Sequence, residues 1–257
     1  MHVARGLDEV PYSPEPVFVV IGVFDGLHLG HAYLLEHLVD EAARHHARPV
    51  VITFDHHPDE VLTGTAPPLL CDADERLARL AAAGVDTTVV VHFDQRLRET
   101  TYEAFVDQIH ARAPVAGFLM TPDAAFGYRR AGTPEALAAL GRARGFGVVV
   151  VPPFTLDGGS VRSTEVRTAI AAGDLGLASR LLGRPHAVSG HVEGDAVRVP
   201  LPVALPPDGV WSALVEGEGR QRAAVVVVRA GSLLLSEVGP AGHVRVELLA
   251  RAGDAGV

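Results

Sequence analysis

Five short apolar runs, rich in β-branched residues, recur between Val17 and Pro152, and this recurrence limits the chain more than any other feature. They are "VFVVIGVF" (Val17–Phe24), "RPVVITF" (Arg48–Phe54), "TTVVVHF" (Thr87–Phe93), "VAGFLMT" (Val115–Thr121) and "FGVVVVP" (Phe146–Pro152). Each is continuous rather than alternating, as expected of strands buried on both faces of a parallel sheet. Alanine- and leucine-rich stretches lie between them, at Leu29–Ala47, Ala73–Ala83, Tyr102–Arg112 and Pro134–Arg144. The repeated strand–helix order predicts a Rossmann-like, doubly wound α/β domain.

After "GRPHAVSGHVEGD" the texture changes. "VWSALVEG", "RAAVVVVR", "SLLLSEV" and "HVRVELLA" read as short strands with Gly and Pro punctuation, and no helix is expected among them. A small antiparallel barrel or sheet follows from that pattern. The boundary falls near His186, giving domains 1–186 and 187–257. At 257 residues the chain is long enough for two such unequal units.

The net charge of −9 argues against a general nucleic-acid binder. All 22 basic residues are arginine. A Walker-type phosphate loop and a Schiff-base enzyme both need a lysine, so both classes are excluded. The single Cys71 forms no intramolecular disulfide or cysteine-rich zinc site, and reads as a small, partly buried hydrophobe in a reducing compartment. The N-terminus lacks the apolar core of a signal peptide, and no apolar run is long enough to span a bilayer. A soluble, cytoplasmic protein is expected.

The chemistry concentrates in "GVFDGLHLGH" (Gly22–His31), where the first strand gives way to the first helix. Ligands of doubly wound sheets sit beyond the carboxyl ends of the strands. Gly26 and Gly30 permit a tight turn and close backbone approach. The helix N-terminus offers N–H groups and a positive dipole end, to which His28 and His31 can add ring N–H donors. A metal pair is the weaker reading, because neither His45–His46 nor His56–His57 supplies a further ligand with zinc-site spacing. Packing of the histidines in a core is the remaining one. A second stretch, "DGGSVRSTEVR" (Asp157–Arg167), follows the fifth strand. There Ser163 or Thr164 is placed to cap a helix with Arg167 one turn inside, forming either an ordinary cap or a second anion cradle.

"HLGH" resembles the HxGH signature of the nucleotidyltransferase superfamily, and "VRSTEVR" resembles its (I/V)SSTxxR signature. "GVFDGLHLGH", "ITFDHHPDEVL", "DAAFGYRRAG", "VPPFTLDGGSVRSTEVR" and "AAGDLGLASRLLGRPHAVSG" together resemble, in order and spacing, the bacterial bifunctional riboflavin kinase/FMN adenylyltransferase (FAD synthetase) family over residues 17–190. The resemblance implies attack of the FMN phosphate on the α-phosphate of ATP, giving FAD and pyrophosphate. It implies His28 and His31 as catalytic residues. Gly22, Phe24, Asp25, Gly26, Gly30, Arg162, Ser163, Thr164 and Arg167 become nucleotide-binding, and Asp55, His57, Pro58, Asp123 and Phe126 acceptor-binding. Mg²⁺ is expected on the nucleotide phosphates, without a protein metal site. The expected partners are the nucleotide and a phosphorylated acceptor, with no nucleic acid and no membrane.

Several positions depart from the family pattern. In "TPDAAFG", Thr121 stands where the family has glycine and Ala124 where it has an aromatic. In "TFDHHP", His56 stands for proline, and Arg162 stands in the "SST" triplet. The kinase's "PTAN" element aligns with "PVAL" (Pro202–Leu205), where Val203 and Leu205 offer no oxygen for a hard cation. A degenerate kinase-like domain without kinase activity is therefore expected, one that caps the first domain or supports a homo-oligomer. Other acceptors, a modified flavin, CTP, or a non-catalytic binding protein remain as alternatives.

Overall fold

All five apolar runs become strands of one sheet. In the computed structural model the described residues are 1–199, 202–236 and 242–253. Pro200 and Leu201, the last two residues of "SLLLSEV", and Asp254 lie outside them. The chain divides into two compact units. Met1–Phe24, Gly30–Pro67 and Leu77–Phe154 form the first, and Asp25–Leu29, Pro68–Arg76 and Thr155–Val257 the second.

The first unit contains β1 (His2–Ala4), β2 (Val17–Ile21), α1 (Leu29–Arg44), β3 (Arg48–Phe54), α2 (Pro58–Thr63), α3 (Ala73–Ala82) and β4 (Thr87–Val91), with α1 and α3 beginning in the second unit. α4 (Gln95–Glu99), α5 (Tyr102–His110), β5 (Val115–Met120), α6 (Pro134–Arg144) and β6 (Gly147–Val150) complete it. The sheet order is β1-β4-β3-β2-β5-β6, with every pairing parallel. The chain winds outward from β2 in one direction through β3 and β4, then in the other through β5 and β6. The switch point therefore lies between β2 and β5, where a ligand crevice is expected.

Burial of both sheet faces explains the unbroken apolar runs of β2, β3, β4 and β5; β6, at the sheet edge, departs from that expectation, with Gly147 and Val150 exposed. Val19, Ile52, Val89, Phe118 and Met120 share a core with Phe105, Val106 and Ile109 of α5 and Leu137 of α6. Phe18, Val20, Val51 and Leu119, next along their strands, are equally buried and point to the opposite face. β1 was not anticipated: three residues carry no periodicity, and pairing with Thr87–Val89 is what makes them a strand.

The second unit opens with the hairpin β7 (Thr155–Leu156) and β8 (Gly159–Ser160), turned by Asp157 and Gly158 at positive φ, the backbone that Asp-Gly favours. α7 (Ser163–Ala171) and α8 (Leu175–Leu182) follow. Asp174 caps α8 by accepting the Leu177 N–H at 2.8 Å, and Gly183 ends it in the left-handed region. β9 (His186–Glu193), β10 (Ala196–Arg198), β11 (Gly209–Gly217), β12 (Arg220–Arg229), β13 (Ser232–Leu235) and β14 (Gly242–Arg251) close a barrel in the order β10-β13-β12-β11-β14-β9. Trp211, Ala213 and Val215 alternate inward with Val226, Val228, Leu233, Leu235, Val244, Val246 and Leu248. No helix among the described residues is long and apolar enough to cross a membrane.

His186 is buried at the start of β9, where its Nε2–H donates to the Ala204 carbonyl at 2.8 Å. Burial lowers its pKa from 6.5 to about 4. Between those values the unfolded chain takes up a proton that the folded chain refuses, so stability falls as pH falls. Trp211, the only tryptophan, reports barrel unfolding by fluorescence. The expected result is a denaturation midpoint that drops from about pH 6.5 to about pH 4, with His186 contributing up to about 3 kcal/mol. The drop should be smaller in His186→Gln.

Candidate active site

The turn between β2 and α1 is held in an uncommon backbone conformation. Gly22 N–H donates to the Ile52 carbonyl at 3.0 Å, and Phe24, Gly26 and Leu27 all have positive φ (52°, 74° and 40°). Phe24 and Leu27 are buried non-glycine residues, and such residues keep this conformation only where their surroundings enforce it. A Cβ on Gly26 would lie 2.7 Å from Leu70 Cβ and 2.9 Å from its Cδ1. Glycine is thus required there for space as well as for φ.

In the second unit, Asp25 fixes this turn. Its buried carboxylate accepts the Leu70 N–H at 2.9 Å (Oδ1) and 3.1 Å (Oδ2) and pairs with Arg167. Burial raises its pKa above the ordinary value, while the Leu70 N–H, Arg167 and Arg76 pull the other way. The Arg167 Nε also donates to the Pro68 carbonyl at 2.8 Å. Gly26 N–H donates to the Cys71 sulfur at 3.3 Å. Cys71 is buried, more fully than the partly buried hydrophobe expected, and burial pushes its thiol up to about 12.

His28 is buried with its pKa lowered to about 4, first by desolvation and then by the Arg184 and Arg167 charges. It is a neutral imidazole at pH 7, able to donate one ring N–H without carrying charge. Arg184 donates to the Gly26 carbonyl at 2.7 Å and the Leu27 carbonyl at 3.4 Å, and pairs with Glu75 at 3.2 Å. Sequence reading missed Arg184. Its one local sign is its position directly after the helix-ending Gly183. In the first unit, Gly30 and His31 lie in the opening turn of α1, and the His31 ring meets Phe24 at 5.1 Å.

Neither Ser163 nor Thr164 caps α7. The cap position falls on Arg162, whose extended backbone (φ −133°, ψ 162°) makes no side-chain cap bond. Ser163 is already helical there, and its hydroxyl donates instead to the Asp25 carbonyl at 3.2 Å. Arg162 and Thr164 are exposed.

The first unit contains a cavity of about 710 Å³ beyond the ends of β2 and β5. Gly22, His57, Pro58 and Phe126 line it; Asp55 and Asp123 are not among its lining residues. His57 caps α2, its Nδ1 accepting the Asp59 N–H at 3.2 Å, which leaves Nε2 as the protonated nitrogen. The Thr121 hydroxyl donates to Asp123 at 2.9 Å, and Arg130 donates to the Asp123 carbonyl at 3.1 Å. Phe126 packs against Phe105 and Phe118. Phe54, Phe93 and Tyr128, which motif spacing did not single out, also line the cavity, as do Arg98, Arg129 and Arg130.

The donors at the β2–α1 turn are imidazoles, guanidiniums and backbone N–H groups, a set suited to phosphate oxygens. The Asp25 carboxylate is already committed to Leu70 and Arg167, so a hard cation finds no oxygen cage there. Such donors, following the first crossover strand of a Rossmann-like sheet, are those of a nucleotidyltransferase.

Comparison with known proteins narrows the class. The FAD synthetase family model matches residues 10–165. The bifunctional riboflavin kinase/FMN adenylyltransferase of Pseudomonas fluorescens is 32% identical over 99% of this chain and 85% of its own length. That of Escherichia coli K12 is 34% identical over 86% of this chain and 75% of its own length. The chain belongs to the FAD synthetase family. A crystal structure titled macrolide-efflux protein, from Streptococcus pneumoniae, shares the fold at TM-score 0.81 and 24% identity, covering 97% of this chain and 89% of that one.

Two substitutions test this network. Gly26→Ala should lower stability by about 1–3 kcal/mol through overpacking against Leu70, read by chemical denaturation. Arg167→Ala leaves Asp25 buried without its counter-ion and should cost about 3–5 kcal/mol. Adding Asp25→Asn should recover part of that loss.

Proposed function

We propose that this chain transfers the adenylyl group of ATP to FMN, forming FAD and pyrophosphate, and that it lacks riboflavin kinase activity. The observation that carries the first half is the neutral, buried His28 beside Arg184 and Arg167 in a turn built from left-handed residues. An oxygen of the FMN phosphate attacks the α-phosphorus of ATP. The bond from that phosphorus to the bridging oxygen breaks, and its electron pair leaves on pyrophosphate. His28 and His31 donate hydrogen bonds to the α-phosphate oxygens as charge builds there, a contribution that needs no covalent intermediate. Gly22, Phe24, Asp25 and Gly26 shape the turn and Gly30 opens α1 after it, while Arg162, Ser163, Thr164 and Arg167 serve the β- and γ-phosphates, with Asp25 and Arg167 bracing each other. Mg²⁺ belongs to the nucleotide phosphates and would neutralise the departing pyrophosphate.

The acceptor reading rests on the cavity. Its aromatic walls suit a flat heterocycle, and Arg98, Arg129 and Arg130 outweigh Asp59, the one carboxylate among the described residues that line it, as a phosphorylated acceptor requires. His57, Pro58 and Phe126 touch the acceptor. Asp55 and Asp123 act from behind, ordering the loops that carry them. Ala124 also lines the cavity, leaving the space an aromatic would fill, and this favours a modified flavin phosphate as the second reading.

Residues 1–186 form the transferase module in this reading, and 187–257 a kinase-derived barrel turned to support. Val203 forms a parallel bridge with Leu69, Ala204 N–H donates to the Leu69 carbonyl at 2.8 Å, and Leu69 N–H donates to Pro202 at 2.9 Å. The "PVAL" segment thus clips Leu69, next to the Leu70 N–H that holds Asp25.

Chromatography of the full chain incubated with Mg²⁺, ATP and either FMN or riboflavin is the test. FAD from FMN, and no FMN from riboflavin, is expected; phosphorylation of riboflavin would overturn the second claim. His28→Ala and His31→Ala should each lower kcat by about 100- to 1000-fold, as loss of a transition-state hydrogen-bond donor does. NMR titration should also show the His28 pKa rising from about 4 when pyrophosphate is added, because a bound anion favours the imidazolium.

A further inference from the structure

At the carboxyl ends of the adjacent parallel strands β3 and β4, three side chains converge. Asp55 and His56 follow β3, and His92 follows β4, 37 positions from Asp55. His92 Nδ1 lies 2.7 Å from Asp55 Oδ2, and His56 Nδ1 lies 3.1 Å from Asp55 Oδ1. The three donor atoms all fall within 4.8 Å of one another. The two rings meet edge to face at 5.8 Å between centroids.

The backbone beneath them is fixed. Phe54 and Val91 are register partners, and Asp55 N–H donates to the Val91 carbonyl at 3.2 Å. The Asp55 carboxylate also accepts the His56 N–H at 2.8 Å and the Phe93 N–H at 3.3 Å. These bonds orient the carboxylate, the part that outer-shell hydrogen bonds take in metal sites. Both imidazoles reach into solvent, with side-chain exposures of 47% for His56 and 66% for His92.

We propose that Asp55, His56 and His92 form a site for one divalent transition-metal ion of the zinc class, with a coordination position open to solvent. A four-coordinate zinc about 2.0–2.1 Å from each donor spaces its ligands about 3.3 Å apart, so the observed separations need only small side-chain shifts. Two imidazoles and one carboxylate select Zn²⁺, Co²⁺ or Ni²⁺ over Mg²⁺ and Ca²⁺, which take oxygen ligands. The site is therefore separate from any Mg²⁺ on the nucleotide. It lies beside the cavity that its chain neighbours Phe54, His57 and Phe93 line, so the open position can accept an oxygen of a molecule bound there.

The test is metal binding by the full chain after chelator treatment, with Zn²⁺ followed by equilibrium dialysis and Co²⁺ by its visible absorption. One ion per chain is expected, undisplaced by excess Mg²⁺, with a Co²⁺ band characteristic of nitrogen and oxygen ligands. Outer-shell partners alone change metal affinity by about 10- to 100-fold, so His56→Ala and His92→Ala should each weaken binding by at least about tenfold. His45→Ala, at an exposed histidine of the turn that precedes β3, should not. Zn²⁺ should raise the unfolding temperature of the parent chain and not that of His92→Ala, whose own folding circular dichroism verifies. Absence of a retained ion, or binding that survives both substitutions unchanged, would overturn the proposal.

Discussion

The buried Asp25 carboxylate is the interaction on which the candidate site depends. It joins segments far apart in sequence: its own turn, the segment at Leu70 through an N–H, and α7 through Arg167. A carboxylate this deeply buried is costly unless hydrogen-bonded and paired. The fold meets both conditions and so holds the turn in its left-handed conformation. Cys71 and Arg184, bound to the N–H and the carbonyl of Gly26, fix the same turn from two further points.

The electrostatics of the turn follow from that construction. Arg184 and Arg167 are held by acceptors of their own, yet their charges, with burial, keep His28 neutral at physiological pH. A neutral imidazole among fixed cations makes a receptor for anionic oxygens without a preformed proton to lose. Preorganised dipoles and charges of this sort cost no reorganisation when negative charge develops. The absence of lysine is no handicap here, because planar guanidiniums can accept such fixed, multiply bonded positions.

The C-terminal barrel acquires a reading from the same network. The backbone of the "PVAL" segment, which carries Val203 and Leu205, pairs with Leu69. The neighbouring His186 holds the Ala204 carbonyl. Backbone pairing of this kind is indifferent to which side chains the segment carries.

Much of this was legible in the sequence. The unbroken apolar runs of β2 to β5 specify a parallel sheet because both faces are buried there; the run of β6 reads the same, yet its place at the sheet edge leaves it half exposed. Gly26 of "GVFDGLHLGH" marks a tight turn between strand and helix, because its positive φ and the closeness of Leu70 both favour glycine there; that Phe24 and Leu27 also adopt positive φ is not legible in the sequence. Local pattern could not show what distant segments supply. The partnership of Asp25 with Leu70 and Arg167, the place of Arg184 beside Gly26, and the meeting of Asp55 and His56 with His92 arise only when strands and loops are brought together. Helix caps sit at the same border: Ser163 has the chemistry of a cap, but its hydroxyl bonds to the Asp25 carbonyl, a partner 138 positions away. Periodicity and backbone preference are local and are written along the chain. Pairing of buried charges and convergence of donors are non-local, and the tertiary structure alone decides them.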